Sequence, residues 1–293
     1  MYLESEEISG LPVEPLPQFA FEPGRFMYRE AERLADLMRT RLGLGPALPA
    51  AQLRELLEER LAIKTFVQRA NTKLSGACIY HERVGGCVLV IAKTLPHMLY
   101  TLAHELAHLL AHRDTPVVDE DLFAKTPKEQ FANAFAANLL MPRAGAQELF
   151  AAVYQSRADL SEVEVIHMAR HFGVSFSAML WRLQGLRLIP PQTREKIEAA
   201  YKTSGSGGPV RDIANDPKGK WWKPLPERYI FLALRAYHRE EISIGRLAEL
   251  LHDADGHPST IERAQEFVEH YQTPTRDETE SSEMGALGED QDA

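Results

Sequence analysis

Two cysteines in 293 residues are too few to staple a secreted scaffold. No run of about 18 apolar residues occurs, so no segment reads as a transmembrane helix. The opening decapeptide, MYLESEEISG, has neither the basic n-region nor the apolar h-region of a signal peptide. These absences point to the reducing cytoplasm and away from a membrane. No basic block stands out either, and the formal charge is −9, with 33 Lys+Arg against 42 Asp+Glu. A bulk electrostatic case for nucleic-acid binding is therefore missing. With 44% hydrophobic and 26% charged residues, collagen, coiled coil and wholesale disorder are excluded as well.

What is present divides along the chain. Residues 1–24 hold Pro12, Pro15, Pro17 and Pro23 and read as an extended leader. From residue 25 to 195 helical and strand periods alternate. Helices are expected over about 25–42 and 51–61, ended by LGLGP and by the change of period that follows. Three short β-rich, glycine-bounded runs, 63–68, 75–81 and 85–92, predict a small three-stranded sheet. Five helices follow, at about 96–112, 127–140, 144–155, 161–172 and 175–186. KTSGSGGPVRD marks a linker within 196–222, a small helical unit spans 223–272, and 273–293 is a tail. That tail carries seven acids and one Arg, a net of −6, which leaves −3 for the rest of the chain. Without aromatic residues it reads as a solvated, disordered terminus. The class is α+β.

The segment that carries chemistry is LYTLAHELAHLLAH, Leu99 to His112. His104 and His108 lie four apart, so on a helix both rings leave one face a turn apart and can grip a single zinc ion. Glu105 between them is the expected general base toward the attacking water. Leu99, Leu102, Leu106 and Leu110 form the opposite stripe that anchors the helix. His97 precedes His104 by two turns, about 10 Å along the axis, too far to share its metal. His97, His112 and Tyr100 are instead candidate oxyanion or substrate contacts.

Zinc held by two histidines needs a third protein ligand, leaving a fourth position for water. Glu129 opens the helix PKEQFANAFAANLL, whose small residues Ala132, Ala136 and Ala137 would allow a close approach to the histidine helix. The competing reading is a capping box, Thr126-Pro127-Lys128-Glu129, in which Glu129 merely closes the helix start. Asp119 to Asp121 are the reserve. Asn133, one turn from Glu129, is placed either to orient a ligand or to pack the seam between the helices.

HELAH followed by EQFANAFAANLLMP resembles the ImmA/IrrE family of zinc metallopeptidases, through His104, Glu105, His108, Glu129, Asn133, Phe135 and Leu139 to Pro142. The resemblance covers roughly residues 25–190, including ARHFGVSFSAMLWRLQGLRLI, and residues 225–251 are similar to C-terminal extensions of some members. It implies a zincin-like core with a gluzincin-like site. It also implies a site-specific endopeptidase acting on a protein substrate, typically a helix-turn-helix repressor encoded nearby, in stress, DNA-damage or phage-related responses.

Two further features carry hypotheses. A tight hairpin at Glu82-Arg83 would set Cys78 opposite Cys87, and Cys87, in an expected edge strand along which substrate could pair, is the better candidate for an inhibitory zinc thiolate. The bland alternative is a buried strand cysteine. The rival function is a DNA-binding or antitoxin-like regulator on a non-catalytic peptidase fold. HMARHFGVSFSAMLWRLQGL has a helix-turn-helix rhythm, yet apolar bulk leaves Arg182 and Gln184 as its few base-contact candidates. Residues 225–271 carry five Arg against nine acids, which disfavours a phosphate face. Trp221, Trp222 and Tyr229 either anchor a partner or dock the C-terminal unit.

Overall fold

The computed structural model describes residues 15–24, 26–68, 74–92, 94–113, 117–119, 126–154, 160–204, 225, 227–251 and 259–272. Two units emerge, one spanning Leu11–Tyr229 and the other holding Ile230–Ala293.

The first unit is α+β and mostly helical. Helices α1 (Met27–Arg41) and α2 (Leu53–Leu61) lead into strands β1 (Lys64–Gln68), β2 (Gly76–His81) and β3 (Gly85–Ile91). Then come α3 (Leu95–Ala111), β4 (Val117–Asp119), α4 (Pro127–Leu140), α5 (Arg143–Tyr154), α6 (Glu162–Phe172), α7 (Phe176–Gly185) and α8 (Pro191–Ser204). The starts are chemically marked. Thr94 caps α3 by accepting from the His97 N–H at 3.3 Å, and Thr126 caps α4 with Pro127 in its first turn. Ser161 and Glu164 close a capping box on α6, and Gly173 ends that helix at φ +68°, a conformation open to glycine.

The sheet has four strands in the order β1-β3-β2-β4, where three were expected. β1 runs parallel to β3, and the other two pairings are antiparallel. Two expectations are corrected here. β3 is an inner strand between β1 and β2, so it offers no edge to a substrate; β1 and β4 are the edges. Cys78 pairs with Val88 while Cys87 pairs with Ile79, so the cysteines point to opposite faces. The hairpin loop has three residues rather than two, because His81 pairs with Gly85, and the register slips by one.

One face of β2 and β3 packs on α3, with Cys78, Val88 and Val90 in the core. α4 covers another side of α3. From Met98 to Leu110 every residue of the helix except the half-buried Tyr100 is consequently buried, His104, Glu105 and His108 included, rather than only its leucine stripe.

The leader, where described, is extended and lies along the end of α3. Phe19 donates its N–H to the Leu110 carbonyl at 2.8 Å, and Arg113 donates to the carbonyls of Leu16 and Pro17. Residues 196–204 are helical, within the stretch expected to be linker, since α8 runs to Ser204. The glycine-rich segment, Trp221, Trp222 and the acidic tail lie outside the described residues. The C-terminal helices are α9 (Glu227–His238), α10 (Ile244–Leu250) and α11 (Ile261–Gln272). In the second unit α10 and α11 pack together, with Leu247, Leu251 and Ala264 buried, and the Ser259 N–H bonds the carbonyls of Ala248 and Leu251. Tyr229 is buried, not presented to a partner. No helix among the described residues is long and apolar enough to cross a membrane.

Candidate metal centre

His104 and His108 leave the face of α3 that meets α4, and Glu129 reaches them from the first turn of α4. The His104 and His108 Nε2 atoms are 3.1 Å apart. Glu129 places Oε2 at 3.0 Å from His104 Nε2 and Oε1 at 3.5 Å from His108 Nε2. A tetrahedral zinc with bonds of about 2.0–2.1 Å separates its ligand atoms by about 3.3 Å. The observed separations bracket that value. Among the described residues this is the one cluster of three His, Cys, Asp or Glu groups converging within 4.8 Å.

The outer nitrogens are also accounted for, which fixes how the rings face. His104 Nδ1 lies 3.2 Å from Asn133 Oδ1, an oxygen that also accepts from the Tyr100 hydroxyl at 2.8 Å. Burial pushes the Tyr100 phenol well above its usual range, so it stays a protonated donor. With a carbonyl oxygen as partner, His104 carries its proton on Nδ1 and turns the Nε2 lone pair inward. His108 Nδ1 lies 2.9 Å from His112 Nδ1, so a neutral His112 accepts that proton and leaves His108 Nε2 equally bare.

His112 is 1% exposed, held edge-to-face against Phe21 of the leader at 4.5 Å and Phe131 of α4 at 5.7 Å. Burial, reinforced by the neighbouring His108, pushes its pKa down to about 3. The expectation of a substrate contact at His112 is therefore corrected: it sits behind His108, away from any cleft. Its spacing from His108, the same four residues that join His104 to His108, was the signal. Tyr100 and His97 are half-buried and line a cavity beside the centre.

Glu129 performs half of the capping box. Its N–H donates to Thr126 Oγ1 at 3.3 Å, while its carboxylate turns to the histidines instead of back to the helix start. Burial raises the pKa of that carboxylate, but the facing His104 and His108 rings outweigh it and hold the value to about 2. The group is thus anionic at neutral pH. Of the reserve ligands, Asp119 lies in β4, and Glu120 and Asp121 fall outside the described residues.

Glu105 is fully buried between α3 and β2. Gly76 makes room for it: a Cβ there would stand 2.2 Å from Glu105 Oε1 and 2.7 Å from Thr101 Cγ2. Neither cysteine joins the metal cluster, and the two are not joined in a disulfide. Gly86 faces Leu109 of α3, so Cys87, one residue on, points to the far side of the sheet, and the inhibitory thiolate is withdrawn.

Residues 58–184 match the model of a peptidase family described as the IrrE N-terminal-like domain, a span that contains the whole cluster and its supports. No curated relative matches the sequence. One solved structure it resembles, a Mycobacterium tuberculosis transcriptional regulator, shares 19% identity over 66% of this chain with a TM-score of 0.37. The chain spans about half, 53%, of that protein's length.

Proposed function

We propose that this chain, whose residues 58–184 are an IrrE N-terminal-like domain, is a zinc-dependent endopeptidase that cuts a protein substrate. The substrate class we favour is a helix-turn-helix repressor encoded nearby, whose loss switches on a stress, DNA-damage or phage-related response. The observation that carries the reading is the buried His104–His108–Glu129 cluster, with both outer ring nitrogens engaged.

Two neutral imidazoles and one carboxylate are the donor set of a hydrolytic zinc with an open position. When bound, the metal supplies Lewis acidity toward a scissile carbonyl and lowers the pKa of a water. The remaining work falls to the protein. Glu105 takes the proton of the attacking water and returns it to the departing amine. Asn133 and His112 hold the rings in the tautomers that keep both Nε2 atoms inward. Tyr100 and His97, on the same face of α3 as His104, are the candidate donors toward a developing oxyanion.

The α6–α7 pair disfavours the DNA-binding alternative. Arg182 donates to the Met141 carbonyl at 2.8 Å and to Asn138 Oδ1 at 2.7 Å, and the Gln184 amide oxygen is buried. The two side chains that could read bases are thus turned into the protein.

The test is to incubate the purified, zinc-loaded chain with the neighbouring repressor, with and without a chelator, beside Glu105→Gln. The variant keeps both imidazoles and should bind zinc and substrate yet lose about 10²–10⁴ in cleavage rate. Unchanged regulatory output from a folded, zinc-loaded Glu105→Gln protein overturns the peptidase reading.

A further inference from the structure

The metal centre occupies one end of a longer groove. On α3, His97, Tyr100, His104 and His108 fall on one face, and on α4 so do Glu129, Asn133 and Ala137. Tyr100 and Asn133 bond across the groove next to His104, so the two faces run side by side from the metal toward the start of α3 and the end of α4. At that far end they open into a cavity of about 580 Å³. Its floor includes His97, Tyr100, Ala137 and Met141, and α7 closes it with Ala178 and Trp181. Its mouth is near the chemistry: the Tyr100 ring centre is 6.5 Å from that of His104.

The lining decides what fits. Ala137 is reduced to a methyl at the place where the groove widens. Trp181 is 57% exposed, with Arg194 stacked 4.3 Å over its ring, so one wall is an aromatic plate held in position rather than a core residue. Among the described residues no acidic one lines the cavity, and the guanidinium that does, on Arg182, already serves the Met141 carbonyl and Asn138. A cationic side chain would find no counter-charge there and would meet Arg182. A neutral aromatic or branched aliphatic one would find apolar wall.

We propose that this cavity is the specificity pocket of the enzyme, taking a bulky apolar side chain of the substrate next to the bond that is cut. The inference rests on the metallopeptidase reading and adds to it the substrate preference and the residues that set it: Ala137, Ala178 and Trp181.

The test separates pocket from metal by using hydroxamates, which chelate zinc and carry a chosen side chain. Calorimetry on the zinc-loaded full chain compares acetohydroxamate, L-phenylalanine hydroxamate and L-lysine hydroxamate. Burying the benzyl group should tighten binding about tenfold or more over acetohydroxamate, and the lysine derivative should show no such gain. Ala178→Leu, which fills the pocket from α7 without touching a metal ligand, should abolish the benzyl gain while leaving acetohydroxamate binding and zinc content unchanged. Trp181→Ala, which removes the wall instead of filling the space, should lose most of the gain and serves if the first variant fails to fold. A phenylalanine derivative that binds no tighter than acetohydroxamate overturns the pocket and leaves the metal site standing, as does a gain that survives both variants. Failure of all three hydroxamates to bind overturns the metal reading and this inference with it.

Discussion

Gly76→Ala is the substitution by which the structure exposes itself most, because it adds a single methyl yet strikes Glu105, the proposed general base. Gly76 is paired on both sides, to Val90 in β3 and to Asp119 in β4, so its backbone has no cheap way to swing aside. It is not among the positive-φ glycines, so the cost is one of space, not of backbone strain. The added Cβ would stand 2.2 Å from Glu105 Oε1, whereas heavy atoms in contact sit at about 3.5 Å, so the carboxylate must retreat by roughly 1 Å or more. Glu105 is fully buried and has no solvent to retreat into. Overpacking of this kind costs about 1–3 kcal/mol, and the stiffer unfolded chain returns about 0.4–1 kcal/mol. A misplacement near 1 Å costs about 10² in rate. We therefore expect kcat/KM to fall about a hundredfold, mostly in kcat, with zinc content intact and stability only modestly lowered. The assay is repressor cleavage, with elemental analysis and a thermal melt on the same samples. Glu105→Asp withdraws the carboxylate by one methylene, so Gly76→Ala added to Glu105→Asp should cost little further. A Gly76→Ala enzyme as active as wild type, or one whose loss multiplies in full with that of Glu105→Asp, would refute the reasoning.

Glu129→Ala should release the metal, because two imidazoles alone leave the site one ligand short; stoichiometric zinc after dialysis would sink the assignment of Glu129. His112→Ala should weaken zinc binding about 10–100-fold by freeing the His108 ring, a loss read by competition with a chromophoric chelator, and unchanged affinity would remove His112 from the outer shell. In the metal-free protein the His112 pKa is depressed to about 3, so the unfolded chain takes up the proton first as pH falls below about 6.5. Stability is therefore present above that pH and is lost between about 6.5 and 3, by up to about 1.4 kcal/mol per pH unit for this one group. Melts at pH 7 and pH 5 should show His112→Phe losing less than wild type, and parallel losses would contradict it.

The elements were legible where a period ran long enough to show. Most helices and three strands stand within a residue or two of their expected bounds, because caps such as Thr94, Thr126 and Ser161 and the glycine-bounded strands announce them. What escaped was set by single residues or by distant ones. Gly85, at φ +79°, completes a three-residue hairpin loop, and that one extra residue sends Cys78 and Cys87 to opposite faces. β4 is only three residues long and carries no alternation to read. α8 begins at Pro191, a first helical position that suits proline, and it falls where no helix was expected. The burial of His112 depends on Phe21, far back in the chain, which no local pattern reports.

The competing readings of Glu129 show why spacing alone left the site open. A capping box and a metal ligand call for the same residue at the same helical position, and they differ only in where the carboxylate turns. The structure divides the tasks. Thr126 satisfies the Glu129 N–H, so the helix start is capped without the Glu129 side chain. The carboxylate is then free to cross to His104 and His108, and the positive end of the α4 dipole favours it as an anion there. That crossing requires a close approach of α3 and α4, and the small residues on α4 permit it: Ala132 and Ala136 are fully buried, where larger side chains would hold the helices apart. The third alanine of the run, Ala137, is only half-buried and borders the cavity instead. On the proposed reading one run of small residues does two jobs, drawing the third ligand up to the histidines on its inner side and leaving room for a substrate side chain on its outer one.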